Sequence, residues 1–426
     1  LTWVKRVTSG TFESLGTRNF RLFFWGQLVS NTGTWMQTVA LGWLVLQLTK
    51  SGFAVGVVTA LQFLPSLLFG IYGGVIADRF DKRRTLIVTQ AGMAVCAAAL
   101  AGVTLAGVVH LWQIYLLTFL SGCFTAFDTP VRQAFVSEMV APERLSNAIA
   151  LNSAMFNLSR IAGPAVGALV IKTVGVGTCF VFNAGSFIAV IGGLLLMRPM
   201  ELFRARPVAR AKGQIREGLR YAWQSPVLRS TILVMTVVGT LAFNWTVTLP
   251  LLAKFTFHGD AGTYGLMTAL MGAGALLGAL SSARAAPSPR RLAGSCLAFG
   301  FFMTLSALAP NRATEYVLIV LTGLASMTFL ACANSTCQLA STPAMRGRVM
   351  AIYALVFLGS TPVGGPLIGW VCQRLSPRYG VAVGGVATLL AGLVVAFMLR
   401  RNRDISADRV EPDWEPVETP EAAPAA

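Results

Sequence analysis

Long apolar runs alternate with short polar breaks along the whole chain, and the runs share one length scale. A helical bilayer crossing needs about 20 apolar residues. Twelve stretches meet that requirement: 20–48, 54–77, 85–109, 112–136, 146–173 and 179–197, then 230–255, 264–283, 292–309, 316–339, 349–372 and 381–399. None shows the short alternating strands of a membrane barrel. The pattern predicts an all-α integral membrane protein with twelve transmembrane helices.

One polar gap is longer than the rest. Residues 198–229 carry Arg198, Arg204, Arg206, Arg210, Lys212, Arg216, Arg220 and Arg229 against Glu201 and Glu217. This reads as a basic linker between two six-helix bundles, 18–197 and 230–400, with a terminal segment 1–17 before them. Within the linker, 214–224 is either an ordinary loop or an amphipathic helix on the membrane surface, turning Ile215, Leu219, Tyr221 and Trp223 toward lipid. The tail 401–426 is rich in Pro, Ala, Asp and Glu without apolar periodicity, and is expected to be disordered.

Composition agrees with the pattern. Of 426 residues, 55% are hydrophobic and 12% charged, with a mean hydropathy of +0.66. Ordinary soluble proteins carry about 25% charged residues. The net charge of +17 changes the picture only once it is placed. With both termini cytoplasmic, 26 of the 34 Lys and Arg fall on the inner side. Six fall outside (Lys50, Lys172, Lys254, Arg312, Arg374 and Arg378), and Arg132 and Arg160 lie within spans. Inner-side basic residues set the orientation of helical membrane proteins, so the excess is a topology signal and no nucleic-acid partner is expected. The location implied is a bacterial inner membrane, crossed many times by one chain, with a monomer as the expected state. Residues 1–16 lack the apolar core of a cleavable signal segment. The seven cysteines (96, 123, 179, 296, 332, 337 and 372) lie in or beside spans without metal-ligand spacing, so no metal and no cofactor is expected.

The two halves repeat. Residues 56–69 align with 265–278 at an offset of 209, with identities at Gly56/Gly265, Thr59/Thr268, Ala60/Ala269, Leu61/Leu270, Leu67/Leu276 and Leu68/Leu277. Independently, Gly163-Pro164-x-x-Gly167 recurs as Gly365-Pro366-x-x-Gly369. Duplicated six-helix units with substrate held between them are a common plan of secondary transporters. Proline removes a helix hydrogen bond and glycine admits a close neighbour, so these motifs are expected to form a bendable seam.

The break between the second and third runs reads Gly73-Gly74-Val75-Ile76-Ala77-Asp78-Arg79-Phe80-Asp81-Lys82-Arg83-Arg84. It resembles the signature Gly-x-Leu-Ala-Asp-Arg-x-Gly-Arg-Lys of the major facilitator superfamily, with Asp81 in place of the second Gly. That departure, with Arg18-Asn19-Phe20-Arg21-Leu22, Gly26-Gln27, Asp128-Thr129-Pro130-Val131-Arg132 and Arg346-Gly347-Arg348-Val349, resembles the branch of enterobactin exporters and macrolide efflux proteins. The resemblance covers residues 18–400. It implies two pseudo-symmetric six-helix bundles, and a cytoplasmic latch of Gly74, Asp78, Arg79, Lys82 and Arg83 that steadies the outward-facing state against the eleventh span. The alternative is that these charges only set topology. Residues 284–291 keep the basic groups but no acid, so the latch is expected on one half only. Gly163-Pro164-x-x-Gly167 resembles the fifth-span motif of the superfamily's exporters, with Ala168 for its last Gly, and this implies export.

Asp128, Arg132 and Arg160 are the charges placed inside spans, where ionisable groups are costly and functional by default. Asp128 and Arg132 stand at i and i+4 and can pair. At about 1.5 Å per residue, Asp128 lies roughly 21 Å and Arg160 roughly 27 Å up their helices, so Arg160 could also reach Asp128. Two roles stay open. Asp128 and Arg132 either extend the latch, or Asp128 exchanges a proton as its arginine swings away. Polar residues at four-residue spacing suggest the cavity: Gln27, Asn31 and Trp35; Thr240, Asn244 and Thr248; Asn334 and Gln338. Gln62, Asn157, Tyr353 and Phe357 are further candidates. Interhelical hydrogen bonding is the competing explanation. With two arginines and one acid, the spans favour neutral or anionic amphipathic substrates.

The expected activity is secondary active export of a small amphipathic molecule (a siderophore, a macrolide or another drug) by alternating access. No Gly-x-x-x-x-Gly-Lys-Ser/Thr loop occurs, so a proton gradient or the membrane potential is the expected energy source. The alternatives are an importer or lysophospholipid flippase on the same fold, a non-transporting scaffold or sensor, and a membrane enzyme. The last is poorly supported, since His110 and His258 are the only histidines and both sit at span ends.

Overall fold

Apolar runs of this length become helices because hydrocarbon offers backbone groups no other partner. The computed structural model describes residues 12–203, 214–282 and 288–401, without the side chains at 71, 74, 75, 77, 78, 214–216 and 399–401. Residues 1–11 of the expected terminal segment 1–17 and residues 402–426 of the expected tail 401–426 lie outside the described residues. The first half contains α1 (Arg18–Thr49), α2 (Gly52–Arg79), α3 (Lys82–Leu105), α4 (Leu111–Met139), α5 (Leu145–Thr173) and α6 (Val176–Leu196). The linker forms α7 (Gln214–Gln224), followed by α8 (Pro226–Leu241), α9 (Trp245–Leu251), α10 (Ala261–Ser282), α11 (Pro289–Ala307), α12 (Arg312–Leu339), α13 (Pro343–Arg374) and α14 (Pro377–Arg401).

Local chemistry sets the ends. The Ser51 hydroxyl caps α2 by accepting from the Ala54 amide (3.1 Å), and Asp81 caps α3 by accepting from Arg84 (3.0 Å). Asn311 caps α12 through the Thr314 amide (2.9 Å). Side-chain acceptors of this kind satisfy the unpaired first-turn amides. Prolines at 226, 289 and 343 open their helices where a missing amide costs nothing.

Among the described residues, ten stretches are long and apolar enough to cross a bilayer. The long helices outside that set are α1, diluted by Gln27, Asn31, Gln37 and Gln47, and α11, which opens with Arg290-Arg291. Several helices run past their apolar runs. α13 begins at Pro343, six residues before the expected 349. The seventh span departs from expectation: α8 stops at Leu241, the chain is non-helical through 242–244, and α9 leads into a π turn at Leu252–Thr256. Asn244 Nδ2 donates to the Thr240 carbonyl (2.7 Å), a local bond of the type that competes with helix continuation.

The halves pack alike. α1 packs on α5 and α6, α3 on α4 and α6, and α2 on α4; α8 packs on α13 and α14, α11 on α12 and α14, and α10 on α12. Two seams join them, α2 with α13 and α5 with α10. Both are backbone contacts allowed by glycine. A Cβ on Gly52 would lie 2.7 Å from the Gly369 carbonyl oxygen, and one on Gly265 would lie 2.8 Å from that of Pro164. Gly56 sits against the Gly365 carbonyl even more closely.

These contacts correct the expected motif register. Gly56 and Gly265 are repeat partners, yet one meets the Gly365 carbonyl and the other the Pro164 carbonyl. In space, then, Pro164 corresponds to Gly365, and the two Gly-Pro motifs are slipped by one residue, about 100° around the helix. Gly365 and Gly369 line a seam. Gly163 and Gly167 instead face Thr32, Trp35 and Met36 of α1, inside their own half.

The seams are closed at one end. On the side opposite the linker, Gln373 Oε1 accepts from Ser51 Oγ (2.7 Å) and the Phe53 amide (3.1 Å), and Lys254 Nζ donates to the Leu46 carbonyl (3.1 Å). Contact along α2 continues as far as Leu67, which meets Gly359. Beyond it, toward the linker side, Leu68, Phe69 and Tyr72 are exposed. The Ser51, Phe53 and Lys254 bonds between the halves thus lie on the side opposite the linker.

Candidate functional site

A buried polar network crosses the first half at mid-depth. Asp128 of α4 is 3% exposed. Its Oδ1 accepts from Thr89 Oγ1 (2.8 Å) and Gln90 Nε2 (2.9 Å) of α3, and its Oδ2 lies 3.4 Å from Arg132 Nε. The i, i+4 spacing on α4 provides the pair, and the packing of α3 on α4 brings the two donors. Arg132 then reaches across to α1, donating from one terminal nitrogen to Gln27 Oε1 and Asn31 Oδ1 (both 3.2 Å). The amide nitrogens of Gln27 and Asn31 and the Gln90 amide oxygen are buried without partners. Such groups are costly in a dry interior, so the network keeps unused hydrogen-bonding capacity.

The loop between α2 and α3 ties inward to its own half. Lys82 Nζ bonds Glu138 Oε1 at 2.7 Å, and Arg83 donates from Nε to the Leu194 carbonyl (2.6 Å) and from a terminal nitrogen to that of Leu195 (3.0 Å) at the end of α6. Arg83 thus sits on helix-end carbonyls, a favourable place for a cation. Arg79 is exposed, and its side chain makes no hydrogen bond or ion pair among the described residues. The surroundings of Gly74 and the side chain of Asp78 are outside what is described. On the second half, where no latch acid was expected, Glu217 of α7 pairs with Arg348 of α13 (2.6 Å), and the Tyr221 hydroxyl accepts from the Thr342 amide (3.2 Å). Tyr221 and the buried Ala222 therefore face α13, while Leu219 and Trp223 stay exposed.

Arg160 does not meet Asp128. Its guanidinium lies over the Trp35 ring, 5.8 Å from the centroid, and Phe156 meets Trp35 edge-on at 6.1 Å. The expected cavity stripes divide. Trp35, Gln62, Asn157, Asn334, Gln338 and Phe357 keep some exposure, with Asn334 and Gln338 bonded to each other (2.6 Å). Gln27, Asn31, Asn244, Thr248 and Tyr353 are buried. The first two hold Arg132; Thr240, Asn244 and Thr248 bond carbonyls around the break after α8; and the Tyr353 hydroxyl bonds the Leu330 carbonyl (3.3 Å). Of the four-residue stripes, only Gln27 and Asn31 bond across helices; Thr240, Asn244, Thr248, Asn334 and Gln338 bond within their own segments.

Three groups escaped the sequence reading. Thr89 and Gln90 were legible as adjacent polar residues inside an apolar run. Lys254, counted with the outer loops, lies over Trp43 at 5.4 Å on the closed side. Glu315, one residue before the expected tenth span, is fully buried in α12, with Oε1 accepting from Ser306 Oγ (2.8 Å) and Oε2 unpartnered. Asp128 is therefore not the only acid within the helices.

Comparison with known proteins agrees with this geometry. The family model of transmembrane secretion effectors matches residues 9–421. The multidrug efflux pump Tap of Mycolicibacterium fortuitum is 27% identical over 401 residues, covering 91% of this chain and 97% of its own. The enterobactin exporter EntS of Citrobacter koseri is 24% identical (93% and 96% covered), and the staphyloferrin A transporter of Staphylococcus aureus 23% (89% and 96%). Among solved structures, a bacterial homologue of the human lysosomal transporter Spinster, inward-facing and unoccupied, superposes with a TM-score of 0.70 at 16% identity, over 93% of this chain and 98% of that one. The matched sequence, the repeated six-helix packing and the paired seams make this chain a multi-pass transporter, not an enzyme, of the transmembrane secretion effector family in the major facilitator superfamily.

Proposed function

We propose that this transporter exports a small amphipathic molecule by alternating access, driven by the proton gradient, from a bacterial inner membrane in which the linker side faces the cytoplasm. The observation that carries the reading is the one-sided closure: the backbone contacts of Gly52 and Gly56 with α13 and the bond from Lys254 Nζ to the Leu46 carbonyl all lie on the side opposite the basic linker. Such a shape receives cargo from the linker side. The charge excess on that side supports the orientation, and the siderophore- and drug-exporting relatives support the direction. Asp128 supplies the proton step. Arg132 is already shared with Gln27 and Asn31, so its withdrawal toward α1 would leave the Asp128 carboxylate without its cation. The membrane potential adds about 2.3 kcal/mol per charge per 100 mV.

The test uses the full chain in proteoliposomes with an imposed pH gradient, and the neutral probe N-phenyl-1-naphthylamine. Accumulation should collapse with a protonophore, and Asp128→Asn should move probe at a rate that no longer follows the gradient. Wild-type movement equal to that of empty liposomes defeats the export reading. Gradient-driven accumulation by Asp128→Asn defeats the proton role alone. Cargo identity follows from comparing molecules released by cells with and without the gene, in iron-rich and iron-starved growth.

A further inference from the structure

Among the described residues, two cations beside α1 have no carboxylate partner, and each lies over a tryptophan of that helix. Arg160 of α5 stands between α1 and α10. Its ring contact is Trp35 of α1, and its own carbonyl lies 3.3 Å from where a Cβ on Gly272 of α10 would sit. Arg160 as a residue is half-buried, and no hydrogen bond or ion pair of its side chain is present among the described residues. Asp128, the acid it was expected to reach, is taken by Arg132, Thr89 and Gln90. Further toward the closed side, Lys254 lies over Trp43, donates to the Leu46 carbonyl and has Lys50 as its charged neighbour. Trp35 and Trp43 are eight residues apart, hence about 80° apart around α1 and about 12 Å apart along it.

A guanidinium at this depth needs a counter-charge, and aromatic faces compensate only part of it. We propose that Arg160, Trp35 and Phe156 form the seat for a negatively charged amphipathic cargo, a carboxylate, sulfonate or phosphate joined to a flat apolar body. Lys254 over Trp43 receives the same charge next. This refinement rests on the transport reading above and names its cargo class. The anion pairs with the guanidinium while the apolar body packs on Trp35 and Phe156. As the halves rock, the charge passes along α1 to Lys254. Lys254 then exchanges the Leu46 carbonyl for the anion, so that arrival of cargo loosens a bond that holds the far side shut.

The test pairs two probes of similar shape and opposite demand: anionic 8-anilinonaphthalene-1-sulfonate and neutral N-phenyl-1-naphthylamine. Binding is read by fluorescence on the full chain in phosphatidylcholine nanodiscs, with empty discs subtracted. Arg160→Gln should weaken the sulfonate by about tenfold or more, the loss expected for a charge-assisted contact, and leave the neutral probe within about twofold. Arg160→Lys should keep most of the sulfonate affinity. Lys254→Gln should leave binding in place but slow sulfonate transport in proteoliposomes several-fold. Equal loss of both probes in Arg160→Gln, or no loss of either, overturns the proposal. So does a wild-type chain that binds and moves the neutral probe but not the sulfonate, a result that leaves the export reading standing. If added phosphatidylglycerol displaces the sulfonate and no sulfonate is transported, the seat holds a lipid headgroup and the cargo assignment fails. Should Arg160→Gln not fold, the wild-type comparison of the two probes and Arg160→Lys still decide.

Discussion

Replacing Gly52 by alanine probes how the closed side is held. The new Cβ would lie 2.7 Å from the Gly369 carbonyl oxygen and 3.1 Å from Leu251 Cδ1, where ordinary contact begins at 3.4 Å. Leu251 can rotate, but the Gly369 carbonyl is backbone at the closed end of the seam, so α2 and α13 must separate there by about 0.7 Å. Overpacking of this kind costs about 1–3 kcal/mol. Alanine also stabilises the helix relative to glycine by up to about 1 kcal/mol, but that gain is present in every conformation and cancels from the equilibrium between them. Only the clash belongs to the state with the far side closed. The ratio of closed to open far side should therefore fall about 5- to 150-fold, at 1.4 kcal/mol per tenfold. Spin labels at Lys50 and Arg374, in a background with the native cysteines replaced, would report it by double electron–electron resonance as a growing longer-distance population. Gly102→Ala is the control, because nothing lies within 4 Å of its added Cβ. A Gly52→Ala distribution identical to wild type in folded protein would refute the view that glycine backbone contacts set the closed state.

Three further outcomes follow from the charges. Arg132→Met should cost about 3 kcal/mol of stability, at the lower end for a broken buried pair because Arg132 retains some exposure, and adding Asp128→Asn should recover part of that loss rather than double it; denaturant unfolding of the four proteins checks this. Lys82→Glu and Glu138→Lys should each lower the unfolding midpoint, while the exchanged pair should return toward wild type, since the 2.7 Å contact lies within one half. Asp260 accepts from the Thr263 amide (2.9 Å) and hydroxyl (3.1 Å), and the amide bond chiefly holds its carboxyl below the ordinary carboxylate value, with Lys172 adding a smaller pull the same way. A lowered folded value means its contribution is present above about pH 4 and is lost as pH falls through the folded value; Asp260→Asn should therefore show a flatter dependence of unfolding temperature below pH 4, and an unchanged slope would refute the cap assignment.

Much of the architecture was legible because hydrocarbon leaves a chain few choices. Apolar run length located the crossing helices, and the offset of 209 related Gly56 to Gly265, which occupy the two seams. Run length was blind where helices continue as polar surface, as at Pro343, and where the backbone stops inside an apolar run, as after Leu241. The Asp128–Arg132 pair was legible because both ends lie on one helix. Its other partners were not, since Thr89, Gln90, Gln27 and Asn31 come from α3 and α1, and only packing says which polar residues of different helices meet. The Gly-Pro repeat misled in a specific way. Identity of letters suggested identity of role, but a one-residue slip turns Gly163 and Gly167 toward α1 and leaves Gly365 and Gly369 at the seam.

The interruption after Leu241 gives the second half a lever. Below it, α8 is bound along α13 and α14; above it, the short piece Trp245–Thr256 carries Lys254 near its tip. Lys254 lies ten residues from the fulcrum at Asn244, an arm of about 15 Å. A tilt of about 10° at the fulcrum would carry the ammonium some 2.6 Å, by the same arm length. That travel is comparable to the 3.1 Å bond to Leu46 it must release. The outer exit could thus be undone by a small angular play at one non-helical joint, with the long contacts of α8 left as they are.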